Sequence, residues 1–255
     1  MITSMPRVAI ATHDFERCVE TFRRDYGLPV IDLSPGSVES LGAKLAMCVP
    51  SGGSNIELMS PADPKAPLSQ SLSRFLERRG EGLFAMMLEA PDPDREAVGL
   101  AERGLNVLPR MAGAGGRDVH PNSTDGVLIR VYPVKSFAGE TSPSKSGLSG
   151  IMRVIVAVGD LDHARRVYET GFGLPCDAAY DDDMRGVRAI ICRPPAGGVI
   201  EFVTPTDADR PFAGDIAKFL EDRPGLYALV LHGDFSRDSD TVFGARILVE
   251  RGERG

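Results

Sequence analysis

Four histidines and four cysteines are the side chains of this sequence with the readiest chemistry. Cys18, Cys48, Cys176 and Cys192 include no Cys-x-x-Cys pair, so we expect small buried thiols in a reducing compartment. His13 and His163 lie at helix starts and His232 at a strand end, where capping or surface roles suit them. Ser123 and Thr124 could offer hydroxyls to a phosphate, yet they serve equally well as turn residues. The run Gly113-Ala-Gly-Gly116 lacks the Lys-Ser/Thr that follows a phosphate-binding loop and reads as a hairpin turn. The obvious chemical residues therefore build no site by themselves.

The elements that carry these residues repeat. Met5-Pro-Arg-Val-Ala-Ile-Ala-Thr-His-Asp14 returns as Ile151-Met-Arg-Val-Ile-Val-Ala-Val-Gly-Asp160. Gly27-Leu-Pro29 returns as Gly173-Leu-Pro175, and Asn55-Ile-Glu-Leu-Met-Ser-Pro61 as Val199-Ile-Glu-Phe-Val-Thr-Pro205. Landmarks held at one period through the chain imply an internal duplication. Within each copy, a strand at residues 7–12 leads to a helix capped by Asp14 and ended by the Gly-Leu-Pro exit. Strands near 29–33, 43–49 and 54–59 complete a βαβββ unit. A second unit begins at Gly82, with a helix over 93–103 and strands near 105–109, 117–120 and 126–132. Residues 135–150 are rich in Ser, Gly and Pro and read as a linker between a domain at 1–134 and one at 151–255.

The fourth unit starts at Gly225, and Val249-Glu-Arg-Gly252 matches Ala101-Glu-Arg-Gly104 at the end of the unit-two helix. This predicts about three and a half units, with the last three strands missing and the second domain incomplete at its C-terminal end. Open strand edges there invite association, so a homodimer is expected.

With 255 residues, 42% of them hydrophobic and 25% charged, the chain has the composition of a soluble two-domain protein. A net charge of -7 argues against a nucleic-acid partner, which wants a basic face. No apolar run approaches the roughly 20 residues that span a bilayer, and the first residues are not those of a signal peptide, so no membrane partner and a cytoplasmic location are expected.

Paired βαβββ units forming an α+β, cup-shaped, eight-stranded mixed sheet resemble the vicinal oxygen chelate superfamily, the glyoxalase, bleomycin-resistance and extradiol dioxygenase fold. The resemblance is nearest to its methylmalonyl-CoA epimerase branch. It runs through Ile56-Glu-Leu-Met-Ser-Pro61, Phe75-Leu-Glu-Arg-Arg-Gly-Glu-Gly-Leu83, Ala112-Gly-Ala-Gly-Gly-Arg117 and His120-Pro-Asn-Ser-Thr-Asp-Gly-Val-Leu-Ile129. In that superfamily a divalent metal is held by one residue from each of four strands, and it polarises substrate oxygens. Carried onto this sequence, those positions fall on Arg7, Glu57, Ala85 and Arg130. The second copy reads Arg153, Glu201 and Ala228, with Tyr227 beside the last. An arginine does not give up its proton to ligate a metal. The resemblance thus implies the fold with its metal ligands replaced, and no cofactor.

The replaced set suggests an anion pocket. Arg7 and Arg130 would bind a carboxylate or an enolate, and Glu57 would carry a proton as general base. Phe84 and Tyr132 would line the cup, and His120, which the resemblance puts near the cup mouth, would contact substrate. The expected activity is that of a metal-independent isomerase or lyase acting on a small organic acid or acyl thioester. The alternatives are a non-catalytic protein that sequesters a small anionic or aromatic molecule, or an inert scaffold or subunit whose open C-terminal copy pairs with another chain. Arg7, Glu57 and Arg130 could equally form a buried ion network that fills the place of the metal.

Overall fold

Alternation decides which way each central strand faces. In β1 (Ser4–Ala11), Val8 and Ile10 turn to one side and Arg7, Ala9 and Ala11 to the other. The computed structural model describes residues 1–111, 113, 115–137 and 139–252. Ala112 and Ala114 of the glycine-rich run lie outside the described residues, as does the chain end from Glu253.

Asp14 caps α1 (Phe15–Glu20) by accepting from the Arg17 amide, and a π-helical turn continues over Thr21–Asp25. Next come β2 (Val30–Asp32), α2 (Ser34–Leu41), β3 (Ala43–Cys48) and β4 (Asn55–Pro61). Helix α3 (Pro67–Arg79) leads to β5 (Gly82–Ala90), α4 (Pro93–Glu102), β6 (Arg117–Val119) and β7 (Ile129–Pro133). The second half runs through β8 (Ile151–Ala157), α5 (Leu161–Arg165), a π-helical turn over Arg166–Gly171, β9 (Tyr180–Asp182), β10 (Val187–Cys192) and β11 (Val199–Pro205). It ends with α6 (Pro211–Asp222), β12 (Gly225–Gly233), β13 (Arg237–Val242) and β14 (Ala245–Arg251).

Two mixed sheets of seven strands result. One is ordered β2-β3-β4-β1-β5-β7-β6, and the other, read in reverse, repeats that order as β9-β10-β11-β8-β12-β14-β13. In each, the first strand pairs in parallel with the fourth and antiparallel with the strand that opens the next unit. Each sheet has seven strands and not eight. The segment near 105–109 makes only the isolated bridge Val107↔Val119.

Three further readings of the sequence are corrected. The segment Ala245–Arg251 is strand, not helix, because β14 pairs in parallel with β12 just as β7 pairs with β5. Among the described residues the fourth unit keeps its strands and has no helix between β12 and β14, and the second sheet matches the first. Helix α2 stands between β2 and β3, where the βαβββ reading places no helix, and ends at Gly42 with φ +69°. Finally, Cys176 and Cys192 are joined by a disulfide across facing strand segments, while Cys18 and Cys48 are buried free thiols.

A single core takes in Val8, Ile10 and Phe22 from the first half with Val154, Tyr168 and Phe202 from the second. The other face of each sheet has its own cluster. In the first cup, Leu68, Leu72 and Leu76 of α3 lie against Ala9, Ala11, Met59 and Ala85. In the second, Ala213 and Ile216 of α6 lie against Ile155, Val203 and Ala228. Among the described residues, no helix is long and apolar enough to cross a membrane.

Candidate functional site

The cup of the first sheet collects Arg7, Glu57 and Arg130 on its inner face. Register explains how. Arg7 lies opposite Met87, and Met87 opposite Arg130, so the two arginines share one row of the sheet with β5 between them. Glu57 stands in the next row, opposite Ala9, which in turn lies opposite Ala85. All three charged side chains are buried, at 5%, 5% and 2% exposure for Arg7, Glu57 and Arg130.

They do not form one Arg–Glu–Arg network. Arg7 Nε donates to Glu57 Oε2 at 2.9 Å, and Arg7 Nη1 to Ser136 Oγ at 3.1 Å. The Arg7 guanidinium carbon also sits 4.7 Å from the centre of the Tyr132 ring. Burial works against the Arg7 charge, but Glu57, together with Tyr132 and Glu89, outweighs it and holds the guanidinium above its ordinary pKa. Arg130 pairs instead with Asp118, Nη2 to Oδ2 at 3.1 Å, and lies 5.7 Å from the Phe84 ring centre. Arg130 Nε is buried without a hydrogen-bond partner. Burial raises the Asp118 carboxyl above the usual carboxylate range, with Arg130 opposing the rise. Burial likewise raises the Tyr132 phenol.

Of the expected lining residues, Phe84 and Tyr132 belong to the cup cluster. His120 does not. It is exposed, and its Nδ1 accepts from the Asn122 amide to cap the turn Pro121–Ser123. It borders a surface depression between the two halves, with Arg79, His163 and Arg223.

The second cup has a different constellation. Glu201 is fully buried and accepts from the Tyr180 hydroxyl at 2.8 Å and from Arg185 Nη2 at 2.5 Å, with Arg153 Nε 3.4 Å away. Arg153 is also paired with Glu250. Leu248 occupies the place of Arg130, because it lies opposite Val230 as Arg130 lies opposite Met87. The Tyr227 hydroxyl is buried without a partner, with Arg246 over the ring at 4.6 Å. Sequence reasoning missed Asp118, Tyr180, Arg185 and Glu250. Asp118, Tyr180 and Arg185 reach their cup from an edge strand or a turn outside the motifs that recur, while Glu250 lies in Val249-Glu-Arg-Gly252, which reads as a helix end.

Neither cup fits a metal. In the first, one glutamate oxygen is taken by Arg7 and the other strand positions hold Arg130 and Ala85. In the second, two arginines and a tyrosine hold the glutamate. Among the described residues, no three His, Cys, Asp or Glu side chains converge as a metal set.

Residues 7–120 match the Glyoxalase/Bleomycin resistance protein/Dioxygenase superfamily. No curated protein matches the sequence. Among solved structures, a mutant of 4-hydroxymandelate synthase from Streptomyces coelicolor is similar at TM-score 0.66 and 17% identity, over 92% of this chain and 72% of that one. A hypothetical protein from Staphylococcus aureus is similar at TM-score 0.66 and 9% identity, over 98% of this chain and 100% of that one. At such identities the likeness is one of fold. A methylmalonyl-CoA epimerase from Streptomyces coelicolor, in complex with 2-nitronate-propionyl-CoA, aligns with 52% of this chain and 98% of its own at 26% identity and TM-score 0.44.

Proposed function

We propose that this chain, which carries a glyoxalase/bleomycin resistance/dioxygenase superfamily domain over residues 7–120, is a metal-independent isomerase or lyase for a small organic acid or acyl thioester. The observation that carries the reading is the unpartnered Nε of Arg130, a buried donor facing the same cup as the Arg7–Glu57 pair. A buried donor left unpaired is costly, and a carboxylate or carbonyl oxygen would satisfy it. Ala9 and Ala85, small residues on the two strands between Glu57 and Arg130, make the floor between them.

In this arrangement Arg130 holds the substrate oxygen. Glu57, oriented by Arg7, takes the proton from the carbon next to the carbonyl. The electron pair moves onto the oxygen, and the resulting enolate faces the guanidinium. Return of the proton from Glu57 after the planar enolate has turned its other face to it inverts the centre, and departure of a β-substituent with its bonding electron pair instead gives elimination. Leu68, Leu72 and Leu76 of α3 cover the apolar part of the cup and keep water from the enolate.

The matching strand order of the halves, with left-handed turns at Asp125-Gly126 and Phe243-Gly244, supports an internal duplication. Association into a homodimer remains part of the reading. The edge strands are β2, β6, β9 and β13, of which β6 is already bridged on its outer side by Val107.

The test is exchange of a substrate α-proton with deuterated solvent, followed by mass spectrometry on short acyl thioesters and 2-substituted organic acids. Loss of exchange in Glu57→Gln with ligand binding kept is the expected result. Binding by wild type and variant with no exchange by either supports the second reading, sequestration, which the two apolar cup faces favour.

A further inference from the structure

The seam between the halves is built from backbone contacts that recur on both sides, yet the charged groups beside them differ: Glu81, held by Thr12 and the His13 amide, on one side, and an Asp–His pair on the other. The turn holding Gly126 packs on the Pro224 carbonyl, and its counterpart holding Gly244 packs on the Glu81 carbonyl. Beside Gly126 stands Asp125, and beside Gly244 stands Phe243; both have positive φ. The helix reaching Asp125 presents His163, whose amide donates to the cap residue Asp160. The equivalent amide in the first half, donating to Asp14, belongs to Arg17. Closing the seam thus requires the glycines but not an Asp–His pair.

That pair is placed as a ligand-facing group would be. His163 Nδ1 lies 2.9 Å from Asp125 Oδ1, which orients the ring. The Asp125 side chain is 9% exposed, and its Oδ2 is buried with no hydrogen-bond partner. Asp125 and His163 line a depression of about 430 Å³ together with Arg79, His120 and Arg223. Arg79 and Arg223 end the two cup-covering helices there, and each adds to the positive potential at the other. Burial and then the Arg223 charge hold Arg79 below its ordinary pKa.

We propose that this depression is a second binding site, separate from the cups, for a phosphate group that carries a proton. Arg79, Arg223 and the histidines would hold its oxygens, and Asp125 Oδ2 would accept from its P–OH. Guanidinium forks suit phosphate oxygens, and a carboxylate acceptor selects an anion with a hydrogen to give over one without. The depression is larger than a bare phosphate, so a phosphate monoester fits with its organic part toward Asn122 and Pro121 in its monoanionic form, which keeps a P–OH at and below about pH 6.

The test is an NMR titration of the imidazole resonances with inorganic phosphate, sulfate and glycerol 3-phosphate at constant ionic strength. Expected are saturable shifts of His163 and His120, with phosphate about tenfold tighter than sulfate because sulfate carries no proton near neutral pH. Asp125→Asn removes that preference. Arg79→Gln, an exposed helix-end change that leaves the seam intact, weakens all three ligands about tenfold. A monoester tighter than phosphate identifies an organic ligand, and equal affinity identifies phosphate itself. Sulfate binding wild type as well as phosphate does, no saturable shift at either histidine, or an unchanged titration of Arg79→Gln would each overturn the proposal.

Discussion

Gly244 rests directly on the backbone of Glu81: a β-carbon at Gly244 would lie 1.8 Å from the Glu81 carbonyl oxygen. The same contact joins Gly126 to Pro224, where a β-carbon would lie 2.1 Å from the oxygen. Both glycines have left-handed backbones, with φ +69° and +78°. Alanine at either position meets an unfavourable conformation and a backbone atom that cannot swing aside. We expect Gly244→Ala and Gly126→Ala each to cost about 2–4 kcal/mol, read as a lowered urea midpoint. A midpoint within error of wild type for both would mean that the halves are not seated this closely.

The Arg7–Glu57 pair predicts non-additive stability. Removing one member leaves the other charged and buried, so Arg7→Met alone is expected to cost about 3 kcal/mol. Arg7→Met combined with Glu57→Leu removes both charges and costs much less than the sum of the single changes. A double-mutant cycle on equilibrium unfolding measures the difference. Simple additivity would show that the pair is not coupled as the 2.9 Å contact implies.

Glu201 gives a pH dependence of known sign. Burial raises its carboxyl pKa, but Arg185, Arg153 and the Tyr180 hydroxyl outweigh burial and hold it below the ordinary range. A carboxyl whose folded pKa is depressed stabilises the fold above its unfolded value, about 4.3, and loses that contribution as pH falls through the folded value. Unfolding midpoints measured from neutral pH down to about pH 3 should therefore decline less steeply in Glu201→Gln than in wild type. At neutral pH the same variant should be less stable by about 3 kcal/mol, since two arginines lose a buried partner.

Four cysteines should divide into two kinds. With Cys176 and Cys192 joined, protein denatured without reductant exposes two thiols, those of Cys18 and Cys48. Burial pushes the Cys18 thiol up to about 12, so it stays protonated and alkylates slowly in the folded protein near pH 8. Reduction opens a loop whose ends are 16 residues apart, and a closure of that size is worth about 3 kcal/mol. Counting four thiols in unreduced, denatured protein would sink this assignment.

What the sequence determined by itself was the frame. Alternation in residues 5–12 and 151–157, the helix caps Asp14 and Asp160, and the recurrent Gly-Leu-Pro exits are local signals, and each fold element they mark is present. It is the family resemblance, together with the alternation of each strand, that implied one inner face for Arg7, Glu57 and Arg130. The C-terminal strands were hidden because Val249-Glu-Arg-Gly252 resembles a helix end in letters. What makes it strand is parallel pairing to β12, a contact between segments some 20 residues apart that no local pattern encodes. Partners were hidden for the same reason. Arg130 takes Asp118 from the edge strand next to it, and Glu201 takes Arg185 from a turn, so the expected Arg–Glu–Arg network divides into separate pairs. The Cys176–Cys192 link and the Asp125–His163 contact likewise depend on which segments pack together. Local propensity chooses an element and its inward face; which charge meets which is decided only when distant segments compete for the same buried space.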